Sequence, residues 1–333
     1  MTTIRDVAKM AGVSVATVSR VINQINDVNK ETENRVLRAL RDLNYEPSTL
    51  SEGLGAEITA TIAVILPDIV NPFFAELARA VEDTARAHRL TVIFCNSDDQ
   101  GAKEKTYIEV LEMKTIDGIL FASNILEGGA IDMMREKGIP FVLIDRAPKK
   151  GRCSVVRSKN AAGARMAVHH LIKGGCRKVA HIAGPQEFIT ARERQQGYLD
   201  VVGEADWFHP GLIVPGHFTI QGGKGAARAL REHFPDVDGI FAGNDLMAVG
   251  ALKALVRMGV NVPKEMALCG FDGVSVTEMT EPELTTIAQP IYEMGEAAVL
   301  ELIKQMQGER GEDSVRELDV RLIERGSTRW RKE

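Results

Sequence analysis

The apolar positions of the first 45 residues recur at helical spacing. Residues 4–11 form a predicted helix, and Thr3-Ile4-Arg5-Asp6 fits a capping box at its start. Gly12 breaks it. Ser14 is placed to cap a second helix over 15–23, and a loop over 24–29 leads to a third over 31–43. There Val36, Leu37, Leu40 and Leu43 make one apolar stripe. Residues 45–60, YEPSTLSEGLGAEITA, show no such periodicity and read as a linker. Beyond residue 60 the pattern changes to short apolar runs alternating with amphipathic helices. The runs are TIAVIL (61–66), LTVIF (90–94), GILFA (118–122), PFVLI (140–144), KVAHIA (178–183), GIFA (239–242) and MALCGF (266–271). Alternation at this spacing predicts parallel sheets built from βαβ units. Two series, 61–145 and 178–272, each end in a strand followed by Asp. They predict two doubly wound α/β domains with a cleft between them and ligands at the carboxyl ends of the strands.

Composition narrows the function. Charged residues are 26% and hydrophobic residues 44% of 333, typical of a globular protein with a sizeable core. No apolar run reaches the roughly 20 residues that span a bilayer, and MTTIRDVAKM lacks the apolar stretch of a signal peptide. Cys95, Cys153, Cys176 and Cys269 have no paired spacing, which points to a reducing cytoplasm and away from disulfides or zinc. Neither a metal nor a cofactor is expected. There is no GxSxG, HExxH or Walker loop. Gly222-Gly223-Lys224-Gly225 precedes a helix without the strand that a dinucleotide fingerprint needs, and adjacent His169 and His170 diverge on a helix. No residue set points to catalysis, so a non-enzyme is expected.

The segment GVSVATVSRVIN (12–23) has the parts of a helix-turn-helix: a turn glycine, a capped short helix and a following Arg. Val18, Val21 and Ile22 would pack inward. Val15, Ala16, Ser19 and Arg20 would face the major groove, with Arg20 donating to a guanine and the small apolar groups suiting a thymine methyl. Ser14, Thr17, Asn23, Asn29 and Thr32 suit phosphate contacts. The chain's net charge of −5 does not advertise nucleic-acid binding, although a small local module can hide in such a sum.

TIRDVAKMAGVSVATVSRVIN, Tyr45-x-Pro47, GNDLMAVGAL (243–252), GFDG (270–273), LTTIAQP (284–290) and RLIERGST (321–328) together resemble the LacI/GalR family of bacterial transcription regulators. The resemblance implies a headpiece (1–45), a hinge (46–60) and a core (61–333) of two periplasmic-binding-protein-type subdomains. These would comprise 61–158 with 291–320, and 159–290 with 321–333. The chain would cross between them near 146–160, 273–290 and 318–323. Tyr45 and Leu54 would join the DNA contacts, Leu54 as a minor-groove wedge. The implied partners are double-stranded operator DNA, a small effector and a second copy of the chain, in the cytoplasm. No heptad extension follows Trp330-Arg331-Lys332-Glu333, so a dimer is expected rather than a tetramer.

The core is also similar to ribose-binding proteins. That resemblance implies an effector site of Asn71, Phe73, Phe74, Asp145, Arg146, Arg194, Phe218, Asn244, Asp272 and Gln289. The chemistry suits a pentose: aromatic rings for C–H faces, carboxylates to accept, guanidiniums to donate, and amides at Asn71, Asn244 and Gln289 to do both. Asp272, placed at a cleft, should matter for binding and hardly for folding. Core packing remains the alternative for the Phe pair, helix capping for the aspartates, and a crossover hydrogen bond for Gln289.

Three features depart from the family pattern. Glu52 stands where an Arg is usual, Gly53 and Gly55 weaken the hinge helix by about 1 kcal/mol each relative to Ala, and Lys159 stands where an Asp is common. Residues 1–60 hold seven Lys+Arg and eight Asp+Glu, an acidic balance for a DNA-binding module. The expected function is a repressor whose operator affinity is set by a sugar, ribose first. The alternatives are a catabolite-type regulator with a protein corepressor, and a sugar-binding protein with a weakened headpiece.

Overall fold

A computed structural model describes residues 4–22, 28–43, 60–113, 116–122, 130–146, 153–308 and 314–328. The chain divides into two compact units, residues 1–61 with 110–117 and residues 62–109 with 118–333.

The first unit carries α1 (Ile4–Ala11), α2 (Val15–Ile22) and α3 (Lys30–Asp42). Gly12 turns the chain at φ +64°, a conformation glycine takes without a Cβ penalty. Ser14 Oγ then accepts the Thr17 amide at 3.1 Å, satisfying one of the orphan donors of α2. Val7, Ala8, Ala11, Val18, Val21, Val36 and Ala39 form the small core. The stripe predicted on α3 is shifted. Leu37 is exposed, Leu40 and Leu43 only flank the core, and Ala39 takes the buried place beside Val36. Positions 36, 39, 40 and 43 share one face at helical spacing, and position 37 falls off it. Thr3, with its part in the predicted capping box, lies outside the described residues, as do residues 23–27 and 44–59.

The second unit holds β1 (Thr61–Leu66) from its second residue, α4 (Pro72–Ala87), β2 (Thr91–Asn96), α5 (Gly101–Met113) except its last turn, and β3 (Gly118–Phe121). It continues through α6 (Ala130–Glu136), β4 (Phe141–Ile144) and β5 (Val155–Ser158). Next come α7 (Asn160–Lys173), β6 (Val179–Ala183), α8 (Ile189–Val202), β7 (Ile213–Pro215), α9 (Ile220–His233), β8 (Gly239–Ala242), α10 (Asp245–Arg257) and β9 (Ala267–Asp272). The rest is β10 (Thr285–Ala288), α11 (Ile291–Met306), β11 (Val315–Leu318) and β12 (Arg321–Ile323). The two sheets run β2-β1-β3-β4-β5-β11 and β7-β6-β8-β9-β10-β12. Both are doubly wound with the same internal order, parallel except where β12 runs antiparallel to β10. Each reverses direction beside its first strand, and this opens a crevice at the strands' carboxyl ends.

The seven predicted strands are present, and five more were not predicted. β5, β7, β11 and β12 are three or four residues long, and β5, β11 and β12 carry charged side chains, so no apolar run marks them. β10, TTIA, is fully buried yet half threonine. The chain passes between the sheets from β5 to α7, from β10 to α11 and from β11 to β12. At these passages Lys159 Nζ meets Asp319 at 2.7 Å, and Arg157 bridges Glu193 (2.6 Å) and Glu317 (3.0 Å). The Gly222–Gly225 stretch does not precede a helix as expected; it lies inside the first turns of α9, which pack on α10. No described helix is long and apolar enough to cross a membrane.

Candidate functional site

All ten residues expected to hold an effector line one cavity of about 370 Å³ within the second unit. Such a volume lies near the small end of the range for small-molecule sites, about 300–1,000 Å³. Its walls come from both sheets, at the carboxyl ends of the strands.

On the first sheet, β1 hands over to α4 at Asn71, whose side-chain oxygen caps the helix by accepting the Phe73 amide at 3.1 Å. Pro72 occupies the first helical turn, where its missing N–H costs nothing. Phe73 and Phe74 then meet edge to face, centroids 5.0 Å apart. Both are buried in the apolar core and both face the cavity, so packing and ligand wall are one role here. β4 ends at Asp145, held at φ +67°. Its Oδ1 is buried without a partner, a costly state that a ligand hydroxyl would relieve. Next to it the Arg146 guanidinium donates to Asp99 at 2.6 Å and lies over the Phe188 ring at 4.1 Å, while its Nε has no partner.

On the second sheet, Arg194 of α8 is 4% exposed. It donates to Asn160 Oδ1 (2.8 Å), the Gly243 carbonyl (2.7 Å) and Asp272 Oδ1 (3.2 Å), and stacks over Phe271 at 3.9 Å. The register that sets Ala288 opposite Asp272 brings Gln289 beside it, and Gln289 Nε2 donates to Asp272 Oδ1 at 2.7 Å. The Gln289 Oε1 remains buried and unpartnered. Asn244 caps α10 by accepting the Met247 amide at 2.9 Å, and its amide group reaches the Phe218 carbonyl at 3.3 Å. Phe218 follows His217, both left-handed (φ 56° and 55°), and its ring sits over Gly184 so closely that a Cβ there would come within 2.2 Å of it.

Asn71 and Asn244 were expected both to donate and to accept. Each oxygen already accepts one helix-capping bond, Asn244 also donates to the Phe218 carbonyl, and the amide hydrogens of Asn71 remain its natural offer to a ligand. Burial raises the Asp272 carboxyl to about 6, against the lowering influence of Arg194 and Gln289. Beside it, burial and the Asp272 charge raise the fully buried Asp245, while Thr286 and the Gly273 and Val274 amides oppose the rise by donating to it. Asp68, Asp98, Asp99, Phe188, Thr190, His217 and Thr219 also line the cavity and were not singled out from the sequence. A partial signal existed: Asp68 lies two residues beyond the end of one predicted strand, and Asp98 and Asp99 four and five beyond another.

In the first unit, Val18 and Val21 of α2 face the core, while Val15 and Arg20 are exposed. Ser14 caps α2 and bonds the Thr17 hydroxyl at 2.9 Å. Asn29 caps α3 by accepting the Thr32 amide at 2.8 Å. Ser14 and Asn29, expected at phosphates, therefore first serve the helix ends. The side chains of Ala16, Ser19 and Ile22 are outside the described residues, as are Asn23, Tyr45, Glu52 and Leu54. Among the described residues no group of three or more His, Cys, Asp or Glu side chains is placed to hold a metal ion.

Residues 3–48 match the model for bacterial regulatory proteins of the lacI family, and residues 168–328 match that for a periplasmic binding protein-like domain. The chain is 41% identical to the ribose operon repressor of Halalkalibacterium halodurans over 99% of its own length and 98% of that protein. The chain belongs to the lacI family of bacterial regulatory proteins. Its fold matches the lac repressor dimer bound to operator and an anti-inducer at a TM-score of 0.84 and 25% identity, covering 98% of this chain and 99% of that one. A lacI-family regulator from Enterococcus faecalis with bound ribose is 30% identical, with a TM-score of 0.72 over 80% of this chain and 98% of that one. For this lacI-family member, the helix-turn-helix and the two-lobed core are thus parts of one regulator.

Proposed function

We propose that this chain is a transcriptional repressor that binds operator DNA through its headpiece as a homodimer and whose operator affinity is controlled by D-ribose in the cleft. The cavity's inventory of buried polar atoms carries the sugar reading. Two acceptors without partners, Asp145 Oδ1 and Gln289 Oε1, and one donor without a partner, Arg146 Nε, border a space walled by phenylalanines. A pentose offers hydroxyls that donate and accept, and C–H faces for the rings. The ribose operon repressor and the ribose-bound regulator described above support ribose among sugars. The free energy for a change in DNA affinity is the difference in ribose affinity between the DNA-competent and the alternative arrangement.

Isothermal titration of the full chain with ribose, xylose, galactose and a purine tests the effector assignment. Saturable binding of ribose, tighter than that of the other three, is expected. A chain that ignores ribose and binds a hexose or a purine contradicts it.

A further inference from the structure

We propose that the cleft selects the free sugar against its phosphate esters, and that Asp68 and Asp98 at its rim are specificity-determining residues. Proposed function supplies the premise that the cleft binds a sugar. Five carboxylates line the cavity, those of Asp68, Asp98, Asp99, Asp145 and Asp272, against the guanidiniums of Arg146 and Arg194. Both guanidiniums already hold acceptors, although Arg146 keeps its Nε free. Arg146 is bound to Asp99, and Arg194 to Asp272, Asn160 and a backbone carbonyl.

Helix N-termini are the other usual receivers of a phosphate. At α4, α9 and α10 a side chain already holds an N-terminal amide: Asn71 on Phe73, Thr219 on Gly222 and Asn244 on Met247. α8 starts without such a cap and is where an ester would be accepted if the proposal is wrong. His217, the remaining basic group on the wall, is exposed. Meanwhile the buried atoms that lack partners are mostly acceptors, Asp145 Oδ1 and Gln289 Oε1, which a phosphate, itself an acceptor, cannot satisfy.

Neither Asp68 nor Asp98 touches Arg146 or Arg194: Asp68 adds an unneutralised charge, and Asp98 ties up Lys103, the nearby cation that a phosphate could otherwise use. Asp68 Oδ1 accepts the Val70 amide at 2.9 Å, and Asp98 accepts from Asn96 at 2.6 Å and pairs with Lys103. Both are exposed, on the approach to the cavity. A phosphate dianion held there would sit within a Debye length, about 8 Å at physiological salt, of like charges. A regulator so built reads the sugar before phosphoryl transfer, and a kinase reaction would remove its ligand.

Calorimetry at physiological salt with paired ligands tests this: ribose and ribose 5-phosphate, glucose and glucose 6-phosphate, fructose and fructose 1-phosphate. The full chain should bind the free member of its preferred pair at least about 30-fold more tightly than the ester, since two or three like charges nearby each cost several-fold even in high dielectric. The double variant Asp68→Asn/Asp98→Asn keeps the acceptor oxygens, and Asn tolerates the left-handed backbone of Asp98 (φ 53°). It should narrow that ratio several-fold, mainly by tightening the ester. An ester that binds as tightly as its free sugar overturns the proposal. So does a ratio unchanged in the double variant. If ribose fails but another pair shows the free-sugar preference, the ribose assignment falls and the selectivity stands; if no free sugar binds, both fall.

Discussion

Asp272 stands at the end of β9 at φ +119°, its carboxylate already taken by Arg194 and Gln289 before any ligand arrives. This changes what its loss should do. The sequence suggested a cleft residue that folding could spare. In the structure, Asp272→Ala leaves the buried Arg194 guanidinium without its carboxylate, and breaking a buried pair typically costs about 3–5 kcal/mol. The variant should lower the urea midpoint as well as weaken ribose roughly 30- to 1000-fold, or about 2–4 kcal/mol. Normal stability with weakened binding would show that Arg194 finds another partner. The raised pKa of about 6 also fixes a pH dependence. Because the empty folded protein holds this proton more tightly than the unfolded chain, the group's stabilising contribution is present below about 4 and is lost as pH rises through about 6. Ribose hydroxyls donating to the carboxylate favour the ionised form. Ribose affinity should therefore fall as pH drops through 6 and binding should release protons there, measurable by titration in buffers of different ionisation enthalpy. A flat profile between pH 5 and 7.5 would remove Asp272 from the binding contacts. In the headpiece, Arg20 is exposed on the face of α2 opposite Val18 and Val21. Arg20→Ala should cost roughly 1–3 kcal/mol of operator affinity and relax preference at one base pair per half-site, read by a base-substitution series. An equal loss on every sequence would make it a phosphate contact.

The element that holds the cleft's floor is the start of α10 against the turn after β9. Asp245, fully buried, accepts from the Gly273 and Val274 amides at 2.7 and 2.9 Å and from Thr286 at 2.6 Å. It ties α10 and β10 to the turn that follows Asp272. Asp245→Ala would leave two buried donors, the Val274 amide and the Thr286 hydroxyl, and the half-buried Gly273 amide without a partner, at about 1–3 kcal/mol for each buried one before relaxation. Its urea midpoint should fall further than that of Asp272→Ala, a comparison made by equilibrium unfolding. A loss under about 1 kcal/mol would mean that water or another acceptor replaces the carboxylate. At this scale the sequence was legible where the physics was periodic. Six of the seven predicted strands and the three headpiece helices are visible because burial on both faces, or on one stripe, forces apolar runs; β2, an edge strand and mostly exposed, is visible only because its run TVIF is apolar anyway. β5, β11 and β12 escaped because at three or four residues, with charged side chains, they have no run to show. β10 escaped because its two threonines are satisfied by Ser327, Thr328 and Asp245, partners that only the folded chain supplies.

At the scale of the whole molecule, ten residues spread from Asn71 to Gln289 come to one cavity because two sheets of the same order face it with their carboxyl ends. The resemblance named these residues, and strand-end logic alone would have added Asp68, Asp98 and Asp99. Phe188 and His217 carry no such signal: Phe188 meets Arg146 from the other sheet, and His217 stands in left-handed backbone, neither of which a strand end announces. Regulation requires that a ligand in this cavity alter DNA binding by the headpiece. The most direct measurement is fluorescence anisotropy of the full chain on a duplex selected from a random pool, titrated with ribose at fixed salt. A tight, pseudo-palindromic duplex is expected, whose affinity shifts by about 5-fold or more at saturating ribose, the range of allosteric coupling, and does not shift with xylose or galactose at the same concentration. A selected duplex whose affinity is unmoved by ribose, in a chain that demonstrably binds ribose, would contradict that regulation.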